Sequence, residues 1–159
     1  MVKICAKIML RKEGGKMFLG EFEQKCDSKN RFRIPNKFKK EVNGQVILTK
    51  GNDGCIFVMT AKVFENLVSK ASELPMFDTN AQKPLRLLFS SASEVEEDKQ
   101  GRFLLPNNLK KFAGINKDIV FVGAGNRIEL WAREKWNAYK EQENNNLDGL
   151  LQGLGDYGI

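Results

Sequence analysis

Asp27-Ser28-Lys29-Asn30-Arg31-Phe32-Arg33-Ile34-Pro35 returns 71 residues later as Asp98-Lys99-Gln100-Gly101-Arg102-Phe103-Leu104-Leu105-Pro106. Aligning residues 23–40 with 94–111 gives eight identities in eighteen positions: Glu, Asp, Arg, Phe, Pro, Asn and two Lys. Ordinary residue frequencies would give about one. A repeat this long is one structural unit used twice, so the 159-residue chain reads as a pseudo-dimer of two half-domains.

Outward from the repeat, the same order of elements is expected in each half. Residues 17–25 read as a strand, with aromatic residues at 18 and 22. A turn over 27–30 leads into a short strand, 31–34. Pro35 ends that strand or opens a brief basic helix over 36–42, since proline is tolerated at a first helical position and not inside a sheet. Strands 46–49 and 55–59 flank the turn Gly51-Asn52-Asp53-Gly54. A helix capped by Thr60 follows, with Val63, Phe64, Leu67, Val68, Ala71 and Leu74 on one face. The second copy repeats this plan: strand 92–97, turn 98–101, strand 102–105, short helix 106–113, strands 119–123 and 127–131, and a helix from Arg133. One extra residue shifts the offset to 72, which aligns Gly51 with Gly123, Ile56 with Ile128 and Phe64 with Trp136.

The unit is therefore β-β-β-β-α, and the class is α+β, mainly β. The division expected is a basic extension, 1–16, a first repeat, 17–74, a connector, 75–91, a second repeat, 92–143, and a tail, 144–159, ordered only in part. Within the connector a short helix is expected over 85–90, with Pro84 tolerated only near its start.

Composition narrows the function classes. Hydrophobic residues make up 42% and charged residues 29%, as in soluble globular proteins. No apolar run approaches the ~20 residues of a membrane span, and Ile8-Met9-Leu10 is too short for a signal h-region. The cysteines Cys5, Cys26 and Cys55 are odd in number and lack metal-type spacing, so reduced thiols in a cytoplasm are the expectation. The absence of histidine removes Ser/His and Cys/His nucleophile pairs and His metal ligands. No metal or cofactor is expected.

The net charge of +6 is unevenly placed: residues 1–16 carry +4 of it. Such a segment, if flexible, adds non-specific attraction to nucleic acid. Local distribution says more than the total. Residues 27–40 hold Lys29, Arg31, Arg33, Lys37, Lys39 and Lys40 against Asp27 alone, whereas 98–111 hold Lys99, Arg102, Lys110 and Lys111 against Asp98. Glu94, Glu96 and Glu97 precede the second copy and offset its surplus. The two copies are alike in plan and unequal in charge, so Arg31 is expected to matter more than Arg102.

Asp-x-x-x-Arg before a proline-ended strand has a physical use. The aspartate can accept backbone N–H groups two residues on and close the turn. Asn30 or Gly101 tolerates the positive φ required there. The arginine then leaves the turn at a fixed angle, with a planar fork suited to carboxylate or phosphate. The pair could equally serve only to staple the turn. Duplication and the surrounding lysines favour an external anionic partner.

Asp98-Lys-Gln-Gly-Arg-Phe-Leu-Leu-Pro106 resembles the signature of AbrB-type swapped-hairpin DNA-binding domains. Two copies in one chain, with Met17-Phe-Leu-Gly-Glu-Phe22 before the first and Gly123-Ala-Gly-Asn-Arg-Ile-Glu-Leu-Trp131 after the second, resemble the MraZ family of bacterial transcriptional regulators, over residues 17–140. The resemblance implies a double-psi or swapped-hairpin β-barrel built from both halves of one chain. It also implies assembly of several chains into a ring, and binding to short direct repeats upstream of the division and cell-wall gene cluster that includes the family's own gene. Its Asp-x-x-x-Arg signature falls on Asp27 and Arg31 and on Asp98 and Arg102. Three features depart from the family pattern: residues 1–16 precede the usual start at Met17, Asn30 stands for glycine, and Pro84 interrupts a usually continuous helix.

The expected function is thus that of a cytoplasmic, nucleoid-associated DNA-binding regulator acting as a homo-oligomer, with no membrane and no small-molecule substrate. Arg31, Arg33 and Arg102 would contact base edges or nearby phosphates, and Lys29, Lys37, Lys39 and Lys40 would orient the protein on the duplex. Two rival classes stand beside it. One is an AbrB-like interaction or antitoxin-type module that only oligomerises. The other is an enzyme with an acid pair from residues 94–98, ranked low because adjacent acids on a strand face opposite ways and no motif accompanies them. Weaker signals have plain readings: Gly123-Ala-Gly125 as a hairpin rather than a dinucleotide loop, Cys26 as a structural thiol rather than a reactive one, and Trp131 with Trp136 as core or subunit contact rather than a base-stacking platform.

Overall fold

The computed structural model describes residues 17–159. The extension 1–16, with its basic residues and Cys5, lies outside the described residues. Strands β1 (Phe18–Lys25), β2 (Arg31–Phe32), β3 (Gln45–Lys50) and β4 (Ile56–Met59) belong to the first repeat, with the short helix α1 (Asn36–Lys39) and then α2 (Ala61–Ser72). Helix α3 (Thr79–Ser90) connects to β5 (Ser93–Glu96), β6 (Phe103–Leu104), α4 (Asn107–Ala113), β7 (Asp118–Gly125), β8 (Ile128–Ala132) and α5 (Arg133–Asn144).

The strands interleave the two repeats. A six-stranded antiparallel sheet runs β1-β7-β8-β4-β3-β5, and β2 pairs separately with β6. Exchanging each strand for its counterpart in the other repeat returns the same order. The molecule thus has a topological two-fold, passing between β4 and β8 and between β2 and β6. Each half lends its outer strand to the other, so neither sequence repeat folds around its own strands alone.

The ladder does not close into the expected barrel: β1 and β5 are its free edges, and β2–β6 is a separate ribbon. Proline is the physical reason the ribbon stays short. Pro35 and Pro106 follow within a few residues, offer no N–H to a ladder, and open α1 and α4 instead. The ribbon is joined to the sheet through side chains. Phe32 and Phe103 stack at 5.8 Å, and Phe32 meets Phe121 of β7 at 5.7 Å. With Ile34, Leu105, Phe38 and Leu109 they seal a core against Val46, Leu48, Ile56, Val58, Ile119, Ile128 and Leu130. Truncating one such phenylalanine costs about 3–5 kcal/mol, so this packing rather than the two-residue ladder fixes the ribbon.

Two expectations outside the core are corrected. Helix α3 begins at Thr79 and carries Pro84 in its second turn. Asp78 makes this possible by capping the N–H groups of Asn80 and Ala81, so a turn is already established ahead of the proline. The tail is helical: α6 (Leu147–Gly153) and a 3-10 turn (Leu154–Tyr157) occupy it. On α2, Thr60 caps Val63 at 3.4 Å as expected. Its apolar face is only half covered, however, with Ala71 buried and Val68 and Leu74 exposed; the helix packs against β3, and Phe64 meets Phe89 of α3 edge-on at 5.9 Å.

Candidate nucleic-acid interface

The two Asp-Arg turns are built alike. Asp27 Oδ1 accepts the backbone N–H of Lys29 at 2.8 Å and of Arg31 at 2.9 Å, and its Oδ2 accepts Arg31 Nε at 2.7 Å. Asp98 does the same for Gln100 and Arg102, at 2.9, 2.9 and 2.8 Å. Asn30 (φ 59°) and Gly101 (φ 74°) occupy the left-handed position that lets each turn close. The backbone N–H of the motif arginine is the largest influence holding each aspartate ionised, followed among the favourable ones by its guanidinium. It takes Asp98 down to about 2 and lowers Asp27 likewise.

The staple uses only Nε of each arginine. Among the described residues the terminal nitrogens of Arg31 and Arg102 meet no acceptor, which leaves a two-pronged donor held at a fixed angle. Stapling and ligand binding are therefore compatible, because they use different atoms of one side chain.

The antiparallel ribbon sets the two turns at its opposite ends, each beside the outgoing end of the other repeat's strand. Arg31 pairs with Leu104 and Phe32 with Phe103, so Arg33 falls opposite Arg102. The phenylalanines point into the core, which directs Arg31, Arg33, Arg102 and Leu104 to the outer face. Arg33 donates through Nη1 to the main-chain oxygen of Gln100 in the second turn. A Cβ on Gly101 would lie 2.8 Å from Lys39 Nζ and 3.5 Å from Arg33 Nη1, so both first-repeat cations border the second turn. Lys39 also lies 3.4 Å from Glu97 Oε2, an ion-pair distance without hydrogen-bond alignment. Conversely, Lys110 of α4 donates to Asn30 Oδ1 at 2.6 Å in the first turn.

Lys29 extends from the first turn and Lys40 from the end of α1, both exposed, while Lys37 sits over the Phe22 ring at 5.8 Å. The structure thus brings Arg31, Arg33, Arg102 and Lys39 together on or beside the ribbon, while Lys29 stands in the first turn, Lys40 at the exposed end of α1, and Lys37 leans toward β1. Sequence reading missed Lys110 and Leu104. The repeat alignment held the signal for both, since Lys110 is the counterpart of Lys39 and Leu104 of Arg33.

A family model described as "MraZ protein, putative antitoxin-like" matches the chain twice, over residues 17–87 and 88–150. The chain belongs to the MraZ family. It is 43% identical over 143 residues to a protein of Clostridium tetani named transcriptional regulator MraZ, and equally to one of Clostridium botulinum. It is 38% identical to the one of Acetivibrio thermocellus. Each alignment spans 90% of this chain and all of the relative. The MraZ unit matched first runs through most of α3, beyond the end of the first strand-and-helix repeat at residue 74.

The remaining signals settle plainly. Ala124 N–H donates to the Arg127 oxygen at 2.9 Å, closing a β7–β8 hairpin where a dinucleotide loop was the alternative. Burial pushes the Cys26 thiol up to about 11 and Cys55 up to about 12, as for inert structural cysteines. Trp131 and Trp136 join Tyr139 in an aromatic cluster, and Trp136 donates to Glu21 of β1 at 2.8 Å. No His, Cys, Asp and Glu cluster of metal-binding type occurs among the described residues, and no helix there is long and apolar enough to cross a membrane.

Proposed function

We propose that the chain is a sequence-specific regulator of transcription that binds double-stranded DNA through the outer face of the β2–β6 ribbon. The observation that carries this is the pair of stapled turns, each presenting an arginine fork on the outer face, joined by one ribbon that the stacked Phe32 and Phe103 hold to the core. A guanidinium fork matches guanine O6 and N7, and a two-stranded ribbon fits the major groove. Lys39 and Lys110 border the turns, and with Lys29 of the first turn and Lys40 at the end of α1 they would contact phosphates. The name of the relatives, transcriptional regulator, supports the same reading.

In this reading several chains assemble into a ring that engages short direct repeats upstream of the division and cell-wall genes, its own gene among them. Each protomer binds weakly and the ring gains through effective concentration. Leu147, Leu150, Leu151 and Leu154 lie on one stripe of the tail helices and are exposed, which supports contact with a second copy. The protein would work in the cytoplasm at the nucleoid, without cofactor or catalysis.

The deciding experiment is a gel-shift of purified protein on DNA upstream of its own gene, beside a scrambled duplex, with wild type and an Arg31→Ala/Arg102→Ala double variant. Preference for the upstream DNA that vanishes in a folded, still oligomeric double variant is the expected result. The antitoxin-like alternative predicts the same weak binding to both duplexes by both proteins.

A further inference from the structure

On the outer face of the ribbon the cross-strand pairs are unequal. One end carries two cations, Arg33 opposite Arg102; the other carries a cation and a hydrocarbon, Arg31 opposite Leu104. Leu104 is 56% exposed although its neighbours Phe103 and Leu105 are each 1% exposed. Strand alternation accounts for its direction, but not for leucine on a surface otherwise given to cations. The backbone would accept arginine there, as the counterpart position in β2 shows with Arg33.

We propose that Leu104 is a specificity-determining residue that packs on the 5-methyl group of a thymine. This rests on the DNA-binding reading above and adds to it a base preference and a polarity. In the major groove thymine is the base that displays a methyl group, and apolar side chains read it by contact, while arginine reads guanine. A leucine one cross-strand step from Arg31 places a hydrocarbon contact next to an arginine fork, within the span of neighbouring base pairs. The Arg33–Arg102 end offers only donors. The topological two-fold of the fold therefore does not extend to its reading face. One chain has a distinguishable left and right on DNA, and its binding box is not palindromic.

The test uses the upstream DNA, cut by footprinting to the shortest bound duplex, with each thymine replaced in turn by deoxyuridine to remove only the methyl. Wild type should lose about fourfold in affinity at one position, the worth of one buried methyl-sized group. Leu104→Ala should bind the thymine duplex about fourfold more weakly and lose nothing further on that replacement. Leu104→Arg, which restores the symmetric residue, should shift preference at that base pair from thymine toward guanine. Thermal midpoints and oligomeric state should match wild type in both variants. The proposal is overturned if no thymine methyl matters to wild type, or if the same position stays equally sensitive in Leu104→Ala. If wild type shows no preference for the upstream duplex over a scrambled one, the DNA-binding reading itself fails, a separate outcome that precedes the thymine scan.

Discussion

Arg33, in the first repeat, donates its guanidinium to the main-chain oxygen of Gln100, in the turn of the second. The second turn is therefore bordered by first-repeat cations, Arg33 and Lys39, and the first turn by a second-repeat cation, Lys110. Along the chain Arg31 has the basic surroundings and Arg102 the acidic ones; in the fold this inequality is largely undone.

The two motif arginines should consequently contribute comparably to DNA binding. Arg31→Ala and Arg102→Ala are each expected to weaken binding to the upstream DNA by about 10- to 100-fold, within about threefold of one another. Thermal midpoints should move little, since each removes an exposed ion pair and leaves the backbone hydrogen bonds to aspartate in place. Titrations and melting curves on both variants would decide it. A large loss in one and none in the other would restore the chain-neighbour expectation.

Salt dependence should separate the flanking lysines. Each phosphate contact contributes roughly −0.9 to the slope of log affinity against log salt. Lys40→Gln should reduce the slope by about one unit. Lys39→Gln should reduce it by less, because Glu97 at 3.4 Å already partly neutralises that ammonium. Binding isotherms at four salt concentrations measure both.

Acid should loosen the turns. The Asp98 carboxyl stands at about 2 against an ordinary 3.8, because the folded state favours its ionised form. Its stabilising effect is complete above the ordinary value and is lost as pH falls through that value toward about 2. Asp98→Asn should therefore lower the midpoint at neutral pH and flatten the decline in stability across this window. Melting curves from about pH 6 to pH 2 on both proteins provide the check. An unchanged acid limb in the variant would mean that other carboxylates set it.

Asn30 tests the left-handed turn position. At φ 59° a side chain with a Cβ is strained, and asparagine tolerates this better than most residues. Asn30→Ala should destabilise by about 1–2 kcal/mol through backbone strain. Asn30→Gly removes the strain but also the acceptor for Lys110, so it should come out near neutral. Denaturant unfolding of the two variants ranks them, and alanine as stable as glycine would refute the strain argument.

The repeat, its order of elements and its turn chemistry are determined by the sequence alone, because each rests on local rules. Asp98, Gly101 and Arg102 close their turn with partners within four residues, and Pro106 opens α4 at the residue where it stands. The helix through Pro84 and the helical tail escaped that reading, since residue preference there is weak and capping by Asp78 decides the first of them. What only the tertiary structure decided is how the halves cross. The pairing of β1 with β7, of β3 with β5 and of β2 with β6 joins segments about seventy or more residues apart in most cases, and no local preference encodes it. That crossing, sealed by burial of Phe32 and Phe103 in one shared core, sets Arg33 beside Arg102, Lys110 beside Asn30 and Leu104 beside Arg31. Burial is indifferent to sequence distance, so the charge each turn presents is set by the repeat it packs against as much as by its own.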